Sequence, residues 1–599
     1  MGVTGGYRRN MRTFYVSSVL AMMTACPAGP GDTTDTATTT EPMTSGPGTG
    51  TTTAEPTSTT TGTVPTTGDD TTTTGETTGG AELRGARVVY GTTKPDGKGS
   101  HELFFVDCTG DTPGPAIRIH EPLEDGWSVM SWRGISESGK WMHYTLVHET
   151  LGQQVWLVDM SGPLPGTPKR VEIPPDLPPD FVPWKFSQDE TKLALLLAQP
   201  GGGMQLYLCP IAADGGCVAE EWGVPLQPGG GQSFAVHFSP DGSRISYLGD
   251  PDGDGAMQLF LAGTGPGDAG EAVVVSGDAV LDDNVDQGWF SKDGATLYFM
   301  FGPSQNSPGV RAVDVTSDPP GAPQTVVPVG GSFAFRGDDS AVLWWNDPDP
   351  DGFGDLTFFR LDGTKVGPGV PVHDAPEVVG DNRSRWSSDG RFALYLAGSP
   401  GNKKAAELFA VDASGPTLAA PVKLSAPIAA DGKVDFVFVG PDPSYAVYMV
   451  LPTLQGSQEL HMVPLEPPGE PVMLSAPIPP EGGFPGTVIF SDDGSRILYT
   501  VSRPSGSQNL LVDLFAVDTA SPGAPVQVNP PLNDEEQVSW AVWSQDGDRA
   551  FYTLRRAAPE EVTERRLFQV DIDAPGVALP VSDPAHRIDA SMILPPSSE

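Results

Sequence analysis

Phe490-Ser491-Asp492-Asp493-Gly494, followed at once by Ser495-Arg496-Ile497-Leu498-Tyr499, decides the fold because it recurs along the chain. The same pattern stands at Phe238-Ser239-Pro240-Asp241-Gly242, Phe290-Ser291-Lys292-Asp293-Gly294, Trp386-Ser387-Ser388-Asp389-Gly390 and Trp543-Ser544-Gln545-Asp546-Gly547. Weaker copies begin at Ile135, Phe186, Phe335 and Val439. Allowing for intervening copies, the spacing is about 51 residues, a period typical of repeat architectures. Each Asp-Gly is flanked by apolar alternation that ends in an aromatic residue, which reads as strand, tight turn, strand. The repeated Asp is a structural turn residue, since Asp bonds its own backbone and tolerates a tight reversal.

A third strand follows in each unit, of the type Leu408-Phe409-Ala410-Val411-Asp412, matched by segments starting at Leu514, Leu567, Val155 and Leu103. A short fourth strand comes after a Pro/Gly turn, as at Val422 and Val526. Four antiparallel strands per unit of this length make a propeller blade, so the chain is expected to be all-β. Abundant Gly and Pro (73 and 62) fit many short strands joined by turns. Gly85-Ala86-Arg87-Val88-Val89-Tyr90 matches a second strand with no first strand in front of it, and residues 587–594 fall where a further first strand is due. The two ends are therefore complementary: a carboxy-terminal strand would complete the amino-terminal blade and remove an open edge. The count is ten blades. A single ten-bladed ring and two smaller packed rings are both compatible with it.

The signature Ser-x-Asp-Gly-x-x-apolar-x-aromatic resembles the WD40-like propeller repeat of the TolB family, over nearly everything after Gly80. That resemblance implies the fold and leaves the activity open. It differs from the sialidase Asp-box, which has a residue between Asp and Gly. Prolyl-oligopeptidase-like enzymes carry similar propellers, but residues 81–599 leave no room for their hydrolase domain.

The amino terminus reads differently. Arg8, Arg9 and Arg12 precede an apolar run over residues 14–23, then small residues and Cys26, the layout of an export signal over residues 1–25. The run is too short for a permanent membrane span. Met23-Thr24-Ala25-Cys26 resembles the lipobox of bacterial lipoproteins, which implies lipidation of Cys26; the other reading is an ordinary secretory signal cut near Ala25. Residues 26–80 are Thr-, Pro- and Gly-rich and bury too little apolar surface to fold, so a disordered stalk is expected. The protein is then exported to the cell envelope or surface, with the membrane as a partner through the anchor. A formal net charge of −41 repels phosphate backbones and disfavours nucleic acid.

Two acidic loops carry candidate chemistry. Asp250-Pro251-Asp252-Gly253-Asp254-Gly255 places carboxylates at positions one, three and five with Gly at six, as does the run Asp347, Asp349, Asp351 and Gly352, with Asp355 at position nine. Such spacing wraps oxygen ligands around one hard cation, so structural Ca²⁺ is expected. Neither loop has the Glu of an EF-hand at position twelve, where Leu261 and Phe358 stand; both are similar to the calcium loops of integrin-type propellers and thrombospondin repeats. Cys209 and Cys217 flank the turn between a third and a fourth strand, and export makes a disulfide between them reasonable. Cys108 has no obvious partner and reads as a small buried residue. The eight His residues form no zinc motif, and no strict GxSxG elbow occurs. No catalytic residue is assigned. The leading expectation is a binding or scaffolding platform for a protein or polysaccharide ligand; the alternatives are a propeller lyase or hydrolase with residues scattered around the central channel, or a structural envelope component.

Overall fold

The computed structural model describes residues 86–594 apart from connecting segments at 94–101, 178–180, 201–202, 226–229, 278–284, 303–307, 348–352, 374–377, 380–383, 400–401, 454–455, 476–482, 505–509, 521, 523–524 and 557–563. The export signal, Cys26 and the stalk, like Asp349 and Asp351, lie outside the described residues.

The described residues contain no helix and form ten blades of antiparallel strands. Blade 4 shows the plan, with strands Gly231–Phe238, Arg244–Asp250, Gln258–Gly263 and Val273–Val274 paired in chain order. Blade 1 takes its first strand from the other end of the chain. Arg587–Leu594 pairs with Ala86–Thr93 from Arg87↔Leu594 to Thr93↔Arg587, and Glu102–Cys108 and Ile117–Arg118 complete the sheet. The expected closure is therefore present, between the expected residues.

Ten hydrophobic clusters among the described residues settle ring number. Each is shared by two consecutive blades: Trp141, Leu157 and Phe186 between blades 2 and 3, for example, or Leu498, Leu514 and Trp543 between blades 9 and 10. Another joins the last blade to the first, with Phe551, Leu567 and Val581 packed on Val88, Tyr90 and Phe104. Consecutive packing that returns to its start is one ring, which excludes two packed rings. Strand alternation produces the arrangement, since in Trp141–His148 the residues Met142, Tyr144 and Leu146 face blade 1 while Trp141 faces blade 3.

Two repeated devices tie the ring together. The aromatic that ends the repeat signature is a fully buried tyrosine in seven blades (Tyr90, Tyr144, Tyr247, Tyr395, Tyr448, Tyr499 and Tyr552), replaced by Leu195 in blade 3, Phe299 in blade 5 and Trp344 in blade 6. Its hydroxyl reaches the connection entering its own blade: Tyr247 accepts from Val224 N at 3.1 Å, Tyr448 from Ala426 N at 3.2 Å, and Tyr395 lies 2.7 Å from His373 Nδ1. Arginines that open second strands reach forward to the next blade. Arg549 donates to Cys108 O (2.8 Å) and Gly110 O (2.6 Å) across the closure, Arg87 to Met160 O and to Gly162 O (3.1 Å), and Arg496 to Gly547 O (2.9 Å). Blades 6 and 7 are further joined by Val378–Val379, which pairs with Phe353 and Gly354 on one side and Ala397 on the other.

The Ser-x-Asp-Gly turns behave alike. In blade 4, Ser239 Oγ donates to Asp241 (2.6 Å), Gly242 N donates to Ser239 O (2.9 Å), and Arg244 N donates to Ser239 Oγ (2.9 Å). The same three bonds recur at Ser291, Ser387, Ser491 and Ser544. Gly242 and Gly494 adopt φ of 68° and 72°, which a side chain disfavours. Among the described residues two non-glycine residues have positive φ, Glu190 and Asp339, and they occupy this same place in the weaker copies. Each turns the exception to use, for Glu190 accepts from Ser138 N and Oγ of the previous blade (both 2.7 Å) and Asp339 from Lys292 N (2.8 Å). In blade 8 the first strand ends at Phe438, one residue before the repeat read from Val439, and the connection over 439–444 is correspondingly longer.

Candidate functional site

Antiparallel order places the 1–2 and 3–4 connections of every blade on one face and the 2–3 connections, with the crossings between blades, on the other. The first face is nearly uniform, its 3–4 connections running seven to nine residues in every blade. Five residues link first to second strands in blades 2–7, 9 and 10, and six do so in blade 8. The second face varies, from two residues (400–401) in blade 7 to eight (94–101) in blade 1. Both acidic loops are 2–3 connections on this variable face.

In the first loop the structure brings Asp250, Asp252 and Asp254 together, one carboxylate oxygen of each lying within 4.8 Å of the others. Asp250, at the end of its strand, accepts from Gly253 N (2.9 Å) and Asp254 N (3.1 Å) on one oxygen and from Gly255 N (2.9 Å) on the other. Gly255 sits at φ 90°, so a sharp turn at position six needs glycine there. Three carboxylates this close repel one another, and a hard cation with oxygen ligands relieves that repulsion; the donor set fits calcium. In the second loop Asp347 directly follows the strand Ala341–Asn346, and Asp355 pairs across from Asn346 in Phe353–Asp362. The far side of that loop is held by the Val378–Val379 strand that bridges blades 6 and 7.

Cys209 and Cys217 are joined as a disulfide with Cα atoms 5.4 Å apart, beside the bridge of Ile211 to Cys217. Cys108 is free and fully buried, and burial pushes its thiol up to about 12, so it is no nucleophile at neutral pH. The repeated aspartates are engaged locally: hydrogen bonds from Ser239 and Ser243 pull Asp241 down to about 2, and Ser291 and Ser491 lower Asp293 and Asp493.

Two histidines, which the sequence reading gave no role beyond the absence of a zinc motif, stand out in the structure. His143 is buried and His237 partly buried, and desolvation brings each down to about 4, with Lys185 adding to the effect at His237. They occupy matching places on different strands: His143, on a second strand, pairs with Gly134, while His237, on a first strand, pairs with Ser246. For His143 the available signal was a histidine where aligned repeats carry Tyr298, Leu394 or Leu498.

No protein-family model and no curated protein matches the chain. Among solved structures it is similar to a eukaryotic initiation factor at 14% identity, covering 86% of this chain and 99% of that one, with a TM-score of 0.45. TolB from Acinetobacter baumannii is similar at 17% identity over 49% of this chain and 65% of its own, TM-score 0.24. The β-propeller domain of the Trilobed protease from Pyrococcus furiosus is similar at 11% over 56% and 94%, TM-score 0.28. None of these likenesses carries a residue correspondence or an activity.

Proposed function

We propose that this chain is a cell-envelope or surface lipoprotein that uses a TolB-like propeller as a binding platform, with its ligand, a protein or polysaccharide, held on the variable face. The contrast between the faces carries the reading. A scaffold whose connections hold to five or six and to seven to nine residues on one side, and range from two to eight on the other, concentrates diversity where recognition needs it, as binding loops on rigid scaffolds do. Calcium at Asp250, Asp252 and Asp254, and at Asp347, Asp349, Asp351 and Asp355, would stiffen two of those loops before a ligand arrives. Lipid on Cys26 would hold the platform at a membrane.

The test is affinity capture from crosslinked cells with and without calcium. Recovery of one envelope or extracellular partner, reduced by chelation, supports the proposal; no partner in either condition defeats it. A calcium titration that left the melting temperature unchanged would remove the metal, because a ligand that binds only the folded state must stabilise it. Palmitate labelling of the wild type and not of Cys26→Ala supports the anchor, and equal labelling removes it.

A further inference from the structure

The seam between blades 2 and 3 buries polar side-chain atoms that have no partner. His143 and Thr145 lie on the face of Trp141–His148 that Trp141 turns toward blade 3, and they are 4% and 0% exposed. Gln153, paired with Val147 on the neighbouring strand, shares that face. His143 Nδ1, Thr145 Oγ1 and Gln153 Oε1 are all shielded from solvent and have no hydrogen-bond partner. Natural proteins rarely leave such atoms unmade. Here three lie in a row along one sheet face, at His143, at Thr145 and opposite Val147.

The backbone around them is opened. One register slip in the first strand recurs around the ring, in blades 3, 4, 5, 8, 9 and 10, but among the described first strands only that of blade 2 slips twice, between Val129 and Ser131 and between Ser131 and Gly134. Bulges bend a strand and leave residues out of its ladder, and they cluster beside functional sites. The His143 ring fills the space beside Gly134, where an added Cβ would lie 1.7 Å from Nε2, and it packs 5.6 Å from the Phe186 ring of blade 3. The ring is thus held in place while Nδ1 is left free for a donor or acceptor.

We propose that this seam is an internal binding site for small neutral hydrogen-bonding molecules, occupied in solution by ordered water bridging His143, Thr145 and Gln153. A buried water needs two to four polar partners; His143 and Thr145, neighbours on one face of their strand, supply two, and Gln153, opposite Val147, lies one same-face step beyond Thr145 and offers a further partner to a second water. No charged group contributes to the environment of His143, whose shift comes from burial alone, so the site suits a neutral guest.

Thr145→Val, tested in the full chain, is the sharpest probe, because it exchanges a hydroxyl for a methyl of the same shape. If the hydroxyl holds a guest, the variant melts lower by a degree or more and Thr145→Ser retains the guest. If the hydroxyl is dry and partnerless, Thr145→Val melts higher than wild type, and the proposal fails. A crystal structure sharp enough to place water is the second arm. Density at about 2.7–3.2 Å from at least two of the three atoms supports the site. Apolar contact with no density there overturns it even if the variant does not fold.

Discussion

Removing the closing strand should cost about as much as a whole domain's stability. A chain ending at Ala585 lacks Arg587–Leu594 and leaves the edge of Ala86–Thr93 open along the seven pairs from Arg87↔Leu594 to Thr93↔Arg587. Ile588 and Leu594 are 4% and 3% exposed, while Met592 and Ile593 are partly buried against the cores on either side of blade 1. At roughly 1.5–3 kcal/mol for a fully buried side chain, and half that for the other two, the apolar loss is about 5–9 kcal/mol. Typical folded domains have about 5–15 kcal/mol in hand. The contact of Tyr90 Oη with His586 Nδ1 at 2.9 Å is lost as well. Calorimetry should show a melting point lower by on the order of 10 °C, or a broadened transition as the ring frays. A synthetic peptide of residues 585–599 added in trans should restore it. A truncated chain that melts within a degree of full length, with no response to peptide, would refute the closure argument.

Two further outcomes follow from single residues. His143 has a folded pKa of about 4 against 6.5 unfolded, so its depressed value contributes stability above pH 6.5 that is lost as pH falls toward 4. The linkage amounts to about 2 kcal/mol between pH 7.5 and 5; His143→Leu should flatten the melting-temperature profile over that window, and an unchanged slope would contradict it. Gly494→Ala combines a φ of 72° with a Cβ placed 2.8 Å from Asp442 Cβ, and should cost about 1–3 kcal/mol by denaturant titration. Gly576→Ala, at φ 85° with nothing within 4 Å, should cost less; equal costs would mean that the blade 8–9 turn contact contributes nothing.

Much of the fold was legible because the repeat writes its own register. Ser239, Asp241 and Gly242 each hold a bond or a backbone angle that few other residues supply, so their spacing marks the turn and the alternation after it marks the strand. The closing strand at Arg587–Leu594 was readable as a first strand without a second. Ring number was not, because it depends on which blade faces which, information that lies in packing between Phe551 and Val88 and in no local pattern. The acidic loops were visible as spacing, and the folded chain brings Asp250, Asp252 and Asp254 within reach of one ion. His143 was missed because its meaning depends on Gly134 across the sheet and on bulges that no periodicity announces.

The claim that binding belongs to the variable face is tested most directly by exchanging loops. A variant whose connections at 251–257, 302–308 and 347–352 are replaced by the two-residue connection of blade 7 should fold and lose its captured partner. A control that exchanges the five-residue turns at 239–243 and 491–495 should keep it. Equal recovery of the partner by both variants would contradict the account.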